Sequence, residues 1–493
     1  MLAMDPATRE KVRAHVTGNL DATIEELKEY IRIPTVSVGD GTGMREAAEF
    51  LARRYRDFGC QEVEIVETET FPGVWAYYDA GSPITILNYN MYDVRAVGDL
   101  TAWDTDPFEP VVAPRGDIPA VLYGRGARVP KGPDTAWMAG LKALREAVGE
   151  LPVNIAFLAE GDEILGSISY AGLLDRYRDR LADVAGLIYL RADQNDENVV
   201  SVRLGYKSFI TFELTASGES WGRGPTAVGG AHSALRTIVD SPALRLTQAV
   251  GTLFTEDGRM AVDGWAEHLE PATPPAADLT VIEELLAHYA GRPMSQVIPG
   301  LAGTGVTAYV DGLADRALLE RYMYGSALNI QGLRAGYTGP GTRTHTIPES
   351  AVARLDARLC TSASPSVFMD ALRAHLDARG FADVEIDVLS AYPASRSSLD
   401  SPLMSAFLDA VREWGGKPVV WPVQAYGGPW SFLAHDWGTP LVFGTGIGHG
   451  GGVAQPNEYV VVDGGGRRNG LAEVAMFAAD LVMGLADRMK ERS

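Results

Sequence analysis

The stretch P-V-N-I-A-F-L-A-E-G-D-E-I-L-G-S, Pro152 to Ser167, brings together side chains that could do chemistry. Val153, Ile155, Phe157 and Leu158 form a short apolar run, the mark of a strand buried in an α/β sheet. The chain then turns through Gly161 and delivers three carboxylates, Glu160, Asp162 and Glu163. Ligands of open α/β sheets bind at the carboxyl ends of strands, so carboxyl groups placed there suit acid/base work. Glu163 is followed by Ile164 and Leu165, an apolar setting that raises a carboxyl pKa toward the range useful for proton transfer. The same residues also fit a plain polar strand-to-helix loop, with Asp162 or Glu163 near a helix start. A second marked stretch, L-Y-G-R-G-A-R-V-P-K-G-P, carries Gly124, Gly126 and Gly132 and predicts a tight turn close to a site.

The elements that must position these groups alternate. Helices are expected over 5–32 and 43–58, strands over 63–68 and 84–90, and a helix over 134–148. After the carboxylate stretch come a helix near 169–181 and a strand over 186–190. This alternation predicts a doubly wound α/β domain. From Gly205 the pattern changes to strand 209–214, a helix capped by Asp240-Ser241-Pro242, strands 327–333 and 351–359, helix 364–379 and strand 384–389. That order is the ferredoxin-like split one, interrupted by an acidic, proline-bearing insertion over 256–325 with a helical patch at 281–289. The α/β character returns in helix 403–414, strand 441–443 and helix 467–489. The expected organisation is a discontinuous α/β domain, 1–204 and 390–493, with an inserted α+β domain, 205–389.

At 493 residues the chain exceeds what one core usually absorbs, and 46% hydrophobic residues support a folded globular protein. The formal charge of −21 argues against nucleic acid or an anionic membrane as partner. Two distant cysteines, Cys60 and Cys360, give no disulfide framework. The first residues lack the apolar segment of a secretory signal, and no run of about 18 apolar residues predicts a membrane span. A cytoplasmic location is expected.

Six motifs in order carry a resemblance that covers nearly the whole chain: Y-D-V-R-A-V-G-D-L-T-A-W-D-T-D-P-F-E-P, L-Y-G-R-G-A-R-V-P-K-G-P, A-E-G-D-E-I-L-G-S, V-D-S-P-A-L-R-L, N-I-Q-G-L-R-A-G-Y-T-G-P-G-T-R-T and Q-P-N-E-Y. The chain resembles the dinuclear-zinc amidohydrolases, the family of aminoacylases, carnosinases, succinyl-diaminopimelate desuccinylases and related dipeptidases. The resemblance implies a zinc-peptidase-like catalytic domain with an inserted lid and dimerisation domain. It also implies two zinc ions, held by His and carboxylate side chains, that activate water against an amide carbonyl.

At the positions the resemblance assigns to the metal ligands stand Met91, Val129, Ile164, Arg191 (with Asp193 nearby) and Ala454. Val, Ile and Ala offer no donor atom, Arg adds a repelling charge, and one thioether is too little. His345 and His449 are read as solvated or hydrogen-bonding residues rather than replacements. No metal or other cofactor is expected. Other family positions are kept. Glu163 matches the general base and Asp93 the carboxylate that orients the first His. His232 matches the lid His that reaches across a dimer to polarise the scissile carbonyl. Asn329 and Arg358 match lid polar positions, and A-Y-G-G-P-W, with Tyr426, Gly428 and Trp430, occupies the glycine-rich substrate loop. Each has a plainer reading as well: Asp93 could cap a turn or pair with Arg95 or Arg125, Asn329 could satisfy a strand end, and His232 could be an ordinary loop residue.

Three functions follow. One is a metal-independent enzyme doing acyl transfer, cyclisation, condensation, isomerisation or elimination on an amide, acyl or amino-acid-derived small molecule. In that reading Arg128, Lys131 and Arg191 supply positive charge where zinc would sit and suit a carboxylate-bearing ligand. The second is a non-catalytic homologue that binds a ligand or partner. The third is a hydrolase with a displaced metal site. A homodimer through the inserted domain is expected.

Overall fold

Alternation of apolar strands with amphipathic helices builds a six-stranded mixed sheet in the first of two units of this computed structural model, which describes residues 4–341 and 345–492. The strands are β1 (Glu62–Val66), β2 (Gly73–Tyr78), β3 (Thr85–Met91), β4 (Asn154–Glu160), β5 (Leu187–Leu190) and β6 (Leu441–Thr445). Their order is β1-β2-β4-β3-β5-β6. Neighbours among β4, β3, β5 and β6 run parallel, while β1 and β2 form an antiparallel edge. Parallel pairing sends the carboxyl ends of β3, β4 and β5 to one edge, with Met91 opposite Glu160 in register. Every residue of β4 is buried, which is why the strand reads as a continuous apolar run rather than an alternation.

The helix Lys131–Val148 packs against the long helix Leu471–Arg492. A Cβ at Gly140 would lie 2.2 Å from the Ala475 carbonyl oxygen, so this close approach requires glycine. The helix Met44–Phe58 buries Leu51, Tyr55 and Phe58, and the Tyr55 ring stacks on Phe157 of β4 at 4.6 Å. The helix expected over 5–32 is two, Pro6–Gly18 and Leu20–Arg32. Gly18 and Asn19 interrupt it because both are poor helix formers, and Asn19 turns its amide back onto the His15 carbonyl at 2.8 Å.

Several strands had no counterpart in the sequence reading. These are β2, a pair formed by Val199–Arg203 and Lys417–Trp421, and an antiparallel sheet of Val111–Arg115, Ile118–Tyr123, Gly450–Gly451 and Tyr459–Asp463. Pro114 and Pro119 mask the hairpin over 111–123, since proline argues against a central strand.

The first unit comprises Met1–Leu204, Arg396–Pro422 and Phe432–Ser493, and the second Gly205–Ser395 with Val423–Ser431. The segment Val423–Ser431 thus groups with the second unit, whereas chain order alone assigned it to the first. The second unit is a four-stranded antiparallel sheet in the order Ala327–Ala335, Ser350–Leu359, Ser208–Ser217, Glu385–Tyr392. With helices Pro242–Gly251 and Pro365–Ala378 this is the ferredoxin-like arrangement. Alternate residues Ile210, Phe212, Leu214, Ala353 and Leu355 pack with Leu246, Phe368 and Leu372 in its core. The helical patch of the insertion forms as Leu279–His288. Among the described residues no helix is long and apolar enough to cross a membrane.

Candidate active site

The turn after β4 is fixed by its own carboxylates. Glu160 is buried and accepts a hydrogen bond from the Tyr89 hydroxyl at 2.5 Å. Burial, then the neighbouring Asp162 charge, push its pKa well up. Asp162 accepts from the Thr70 hydroxyl at 2.5 Å and from the Ser169 amide at 3.0 Å, which pins the turn to the β1–β2 loop. Glu160 and Asp162 are therefore structural, and two of the three carboxylates of the stretch leave the candidate list. Gly166, at φ 102°, closes the short turn Glu163–Leu165 in a backbone conformation that favours glycine.

This turn delivers the Ile164 amide to Asp93 just past β3, at 2.9 Å. Ser37 donates its hydroxyl to the same Asp93 oxygen at 2.8 Å. The other oxygen is buried and has no hydrogen-bond partner. Neither Arg95 nor Arg125 pairs with Asp93; Arg125 is bound to Glu458 at 2.8 Å. Burial first, and the Glu163 charge second, raise Asp93 to about 7, against the opposing bonds from Ile164 and Ser37. Glu163, half-buried, is raised by burial, while Arg191 and Arg95 pull it down and Asp162 pushes it up. The Glu163 charge thus acts on Asp93 in a poorly solvated place and favours its protonated form.

The basic residues around them have distinct partners. Arg128 donates through Nε to the Ala192 carbonyl at 3.1 Å and lies 3.6 Å from Asp193. Arg203, which the sequence reading did not single out, pairs with Asp193 at 2.8 Å and donates to the Gly444 carbonyl at 2.5 Å. Arg191, at the end of β5, has a buried Nε without a partner. Lys131 does not face a ligand: its buried ammonium donates to the Tyr30 and Ile33 carbonyls, each at 2.8 Å, and so closes the C-terminal end of the helix Leu20–Arg32. The Glu458 carboxylate accepts from the backbone of Arg128 and Val129, both at 3.1 Å, and fixes the glycine-rich turn. His449 is a hydrogen-bonding residue, within 3.1 Å of the Asn195 carbonyl, and burial lowers its pKa.

The remaining predicted residues belong to the second unit. His232 is exposed, and its Nδ1 accepts from the Ala234 amide at 3.1 Å. Asn329 donates to Asp356 at 2.9 Å, Gln331 to the same oxygen at 3.1 Å, and Arg358 to the other at 3.2 Å. Arg358 also covers the Phe209 ring at 3.8 Å. Asn329 is therefore held within a polar group on its sheet. Trp430 lies against Gly428, where a Cβ would come 2.1 Å from the indole, and Tyr206 packs against both Tyr426 and Trp430.

Ile164 donates its amide to Asp93, and Arg191 acts electrostatically on Glu163. Met91 ends β3 two residues before Asp93, Val129 lies in the turn that Glu458 fixes, and Ala454 lies four residues before Glu458. Among the described residues no group of three or more His, Cys, Asp or Glu side chains is arranged to hold a metal ion.

A profile described as "Peptidase family M20/M25/M40" matches residues 92–468. The human protein named Beta-Ala-His dipeptidase is 26% identical over 393 residues, covering 76% of this chain and 72% of that one. The Cys-Gly metallodipeptidase of Schizosaccharomyces pombe is 23% identical over 366 residues, 71% of each. Among solved structures, an M20 family metallo-carboxypeptidase from Sulfolobus solfataricus superposes with a TM-score of 0.77 at 23% identity, over 94% of this chain and 99% of that one. Human carnosine dipeptidase 1 gives 0.69 at 20% identity, over 97% and 100%. With its mixed sheet, its inserted ferredoxin-like unit and a profile match over most of its length, this chain belongs to peptidase family M20/M25/M40.

Proposed function

We propose that this family member is a metal-independent, cytoplasmic enzyme that uses Glu163 and Asp93 for acid/base chemistry on an amide, acyl or amino-acid-derived small molecule. The observation that carries the reading is the buried Asp93, bonded to Ser37 and the Ile164 amide beside the Glu163 turn and raised by burial and the Glu163 charge, with no cluster of metal donors among the described residues. Met91, Val129, Ile164 and Ala454 do not fit a two-zinc site, and Arg128 and Arg191 add repulsion. Glu163, drawn toward ionisation by Arg191, takes a proton from the substrate. Asp93, protonated up to about pH 7, holds one to give back. Acyl transfer, cyclisation, condensation, isomerisation and elimination all need only such proton movements with positioning.

Family membership and relatives named as dipeptidases favour a second reading, hydrolysis of a dipeptide by a metal held on a different ligand set. Elemental analysis of protein purified without chelator separates the two. The expected result is less than about 0.1 transition metal per chain, and about two zinc ions per chain would establish the second reading.

A homodimer through the second unit is part of the same proposal. The strand Ala327–Ala335 ends its sheet with an unpaired edge, and Leu333 and Tyr337 are 66% and 67% exposed there. Light scattering is expected to give twice the 52.9 kDa chain mass, and Leu333→Lys to shift the protein toward monomer. A strictly monomeric wild type at working concentration removes both the dimer and any role for His232 across it.

A further inference from the structure

Three guanidinium groups converge near the ends of β5 and β6 with one carboxylate between them. Asp193 is shared by Arg128 and Arg203, at 3.6 and 2.8 Å. Arg203 is fully engaged on Asp193 and the Gly444 carbonyl, and so acts as the brace. Arg191 stands beside it: a Cβ built on Gly444 would have an Nη1 atom of Arg191 within 3.8 Å and one of Arg203 within 3.9 Å. Both are ordinary contact distances, so the two guanidiniums line the same stretch of backbone, where Gly444 at φ 63° adopts a conformation that favours glycine. These are not solvated surface charges. The side chains of Arg128, Arg203 and Asp193 are only 22%, 15% and 24% exposed, and Arg191 carries a buried Nε with no partner.

Concentrating cations this way costs free energy, because like charges repel and lose water together. Burial first, and the neighbouring Arg191 charge after it, lower the pKa of Arg128, with Asp193 offsetting part of the fall. Elsewhere in this unit buried arginines are matched: Arg125 by Glu458, Arg54 by Asp134 and Glu26. Here one carboxylate serves two guanidiniums, and the third, Arg191, acts electrostatically on Glu163. A bound oxyanion would complete the match, with the planar fork of a guanidinium well suited to a carboxylate.

We infer that Arg128 and Arg191, braced by Asp193 and Arg203, form an oxyanion cradle that binds a carboxylate of the substrate beside Glu163. The inference rests on the reading that this space is not filled by a metal ion. It narrows the substrate to a small molecule with a free carboxylate close to its reacting atoms. Lys131, grouped with these arginines by sequence, takes no part because its three-dimensional partners are the carbonyls of Tyr30 and Ile33.

The test is binding, independent of turnover. Succinate and inorganic phosphate are titrated separately, at constant ionic strength, against wild type, Arg128→Met, Arg191→Met and Arg191→Lys, with unfolding temperature and calorimetric heat as readouts. Succinate is expected to raise the unfolding temperature of wild type, and each Met variant to weaken its binding at least about tenfold. Arg191→Lys keeps the charge, so it remains informative should the Met variant not fold, and it is expected to weaken binding through loss of the fork. Phosphate binding as tight as succinate overturns the carboxylate assignment. Absence of binding by either anion, or binding unchanged in the folded Arg variants, overturns the cradle. Glu163→Gln is run alongside and is expected to keep succinate binding, so the cradle and the acid/base assignment fail separately.

Discussion

Glu163→Gln is expected to lower turnover by about two or more orders of magnitude with little change in KM and no loss of folding. The substitution keeps size and hydrogen-bonding capacity and removes only the titrating group. Glu163 sits on a turn whose geometry is set by others: Asp162 pins it to Thr70 and Ser169, and Gly166 closes it. The variant therefore has no structural reason to unfold. Its carboxyl is raised by burial and held partly in check by Arg191 and Arg95, a balance that suits a group exchanging protons with a substrate. In the wild type, the limb of the pH–rate profile that rises as Glu163 ionises is expected to be present, and in the variant to be absent. Undiminished turnover in Glu163→Gln would make this carboxylate a family relic and remove the acid/base reading.

Asp93→Asn is expected to stabilise the protein at pH 8.5, to leave it unchanged or slightly less stable at pH 4.5, and to impair turnover. The sign follows from linkage. Asp93 titrates at about 7 in the folded chain, above its ordinary 3.8. Between those values the native state binds the extra proton, so stability falls as pH rises through the window. Above pH 7 the full cost of the buried charge is present, on the order of 4 kcal/mol, and below pH 3.8 none of it is. Asparagine can still accept from Ser37 and Ile164, but its amide then replaces a buried oxygen that has no partner. That leaves an unsatisfied donor worth about 1–3 kcal/mol against the gain. A net gain of about 1–3 kcal/mol at pH 8.5 is the expected outcome, read from urea unfolding at the two pH values. Equal destabilisation at both would make Asp93 an ionised structural anchor. A stabilising substitution that also harms turnover is the signature of a group kept for chemistry.

Chain-local physics made much of this protein readable. The β4 run announced a strand buried on both faces, since Ile155 and Phe157 are apolar on one face and Ala156 and Leu158 on the other. Helix starts at Ser241-Pro242 and Ser401-Pro402 fall where a capping hydroxyl precedes a proline, and Pro365 opens the helix after Ser364 without a side-chain cap. The ferredoxin-like order of the second unit was legible from element sequence alone, because hydrophobic period and turn chemistry are local properties. β2 was not, as G-V-W-A-Y-Y is buried along most of its length and shows no alternation. Nor was the sheet of 111–123 with 459–463, whose partners are separated by more than three hundred residues.

At the site, the sequence by itself determined which residue types stand at each position: Glu163 and Asp93 where the resemblance expects carboxylates, and Met91, Val129, Ile164 and Ala454 where it expects metal ligands. Tertiary structure decided what those residues do. It separated the three carboxylates after β4 into two that pin the turn and one half-buried beside Arg191, because Thr70, Tyr89 and Ser169 arrive from other elements. It took Lys131 out of the site and brought Arg203 into it, since a buried ammonium goes to the nearest carbonyls and a buried carboxylate to the nearest guanidinium. It also gave Asp93 the Ser37 hydroxyl, a partner 56 residues away that no spacing rule connects to it. Burial and charge proximity set the protonation of such groups, and both exist only once distant segments share one edge of a sheet.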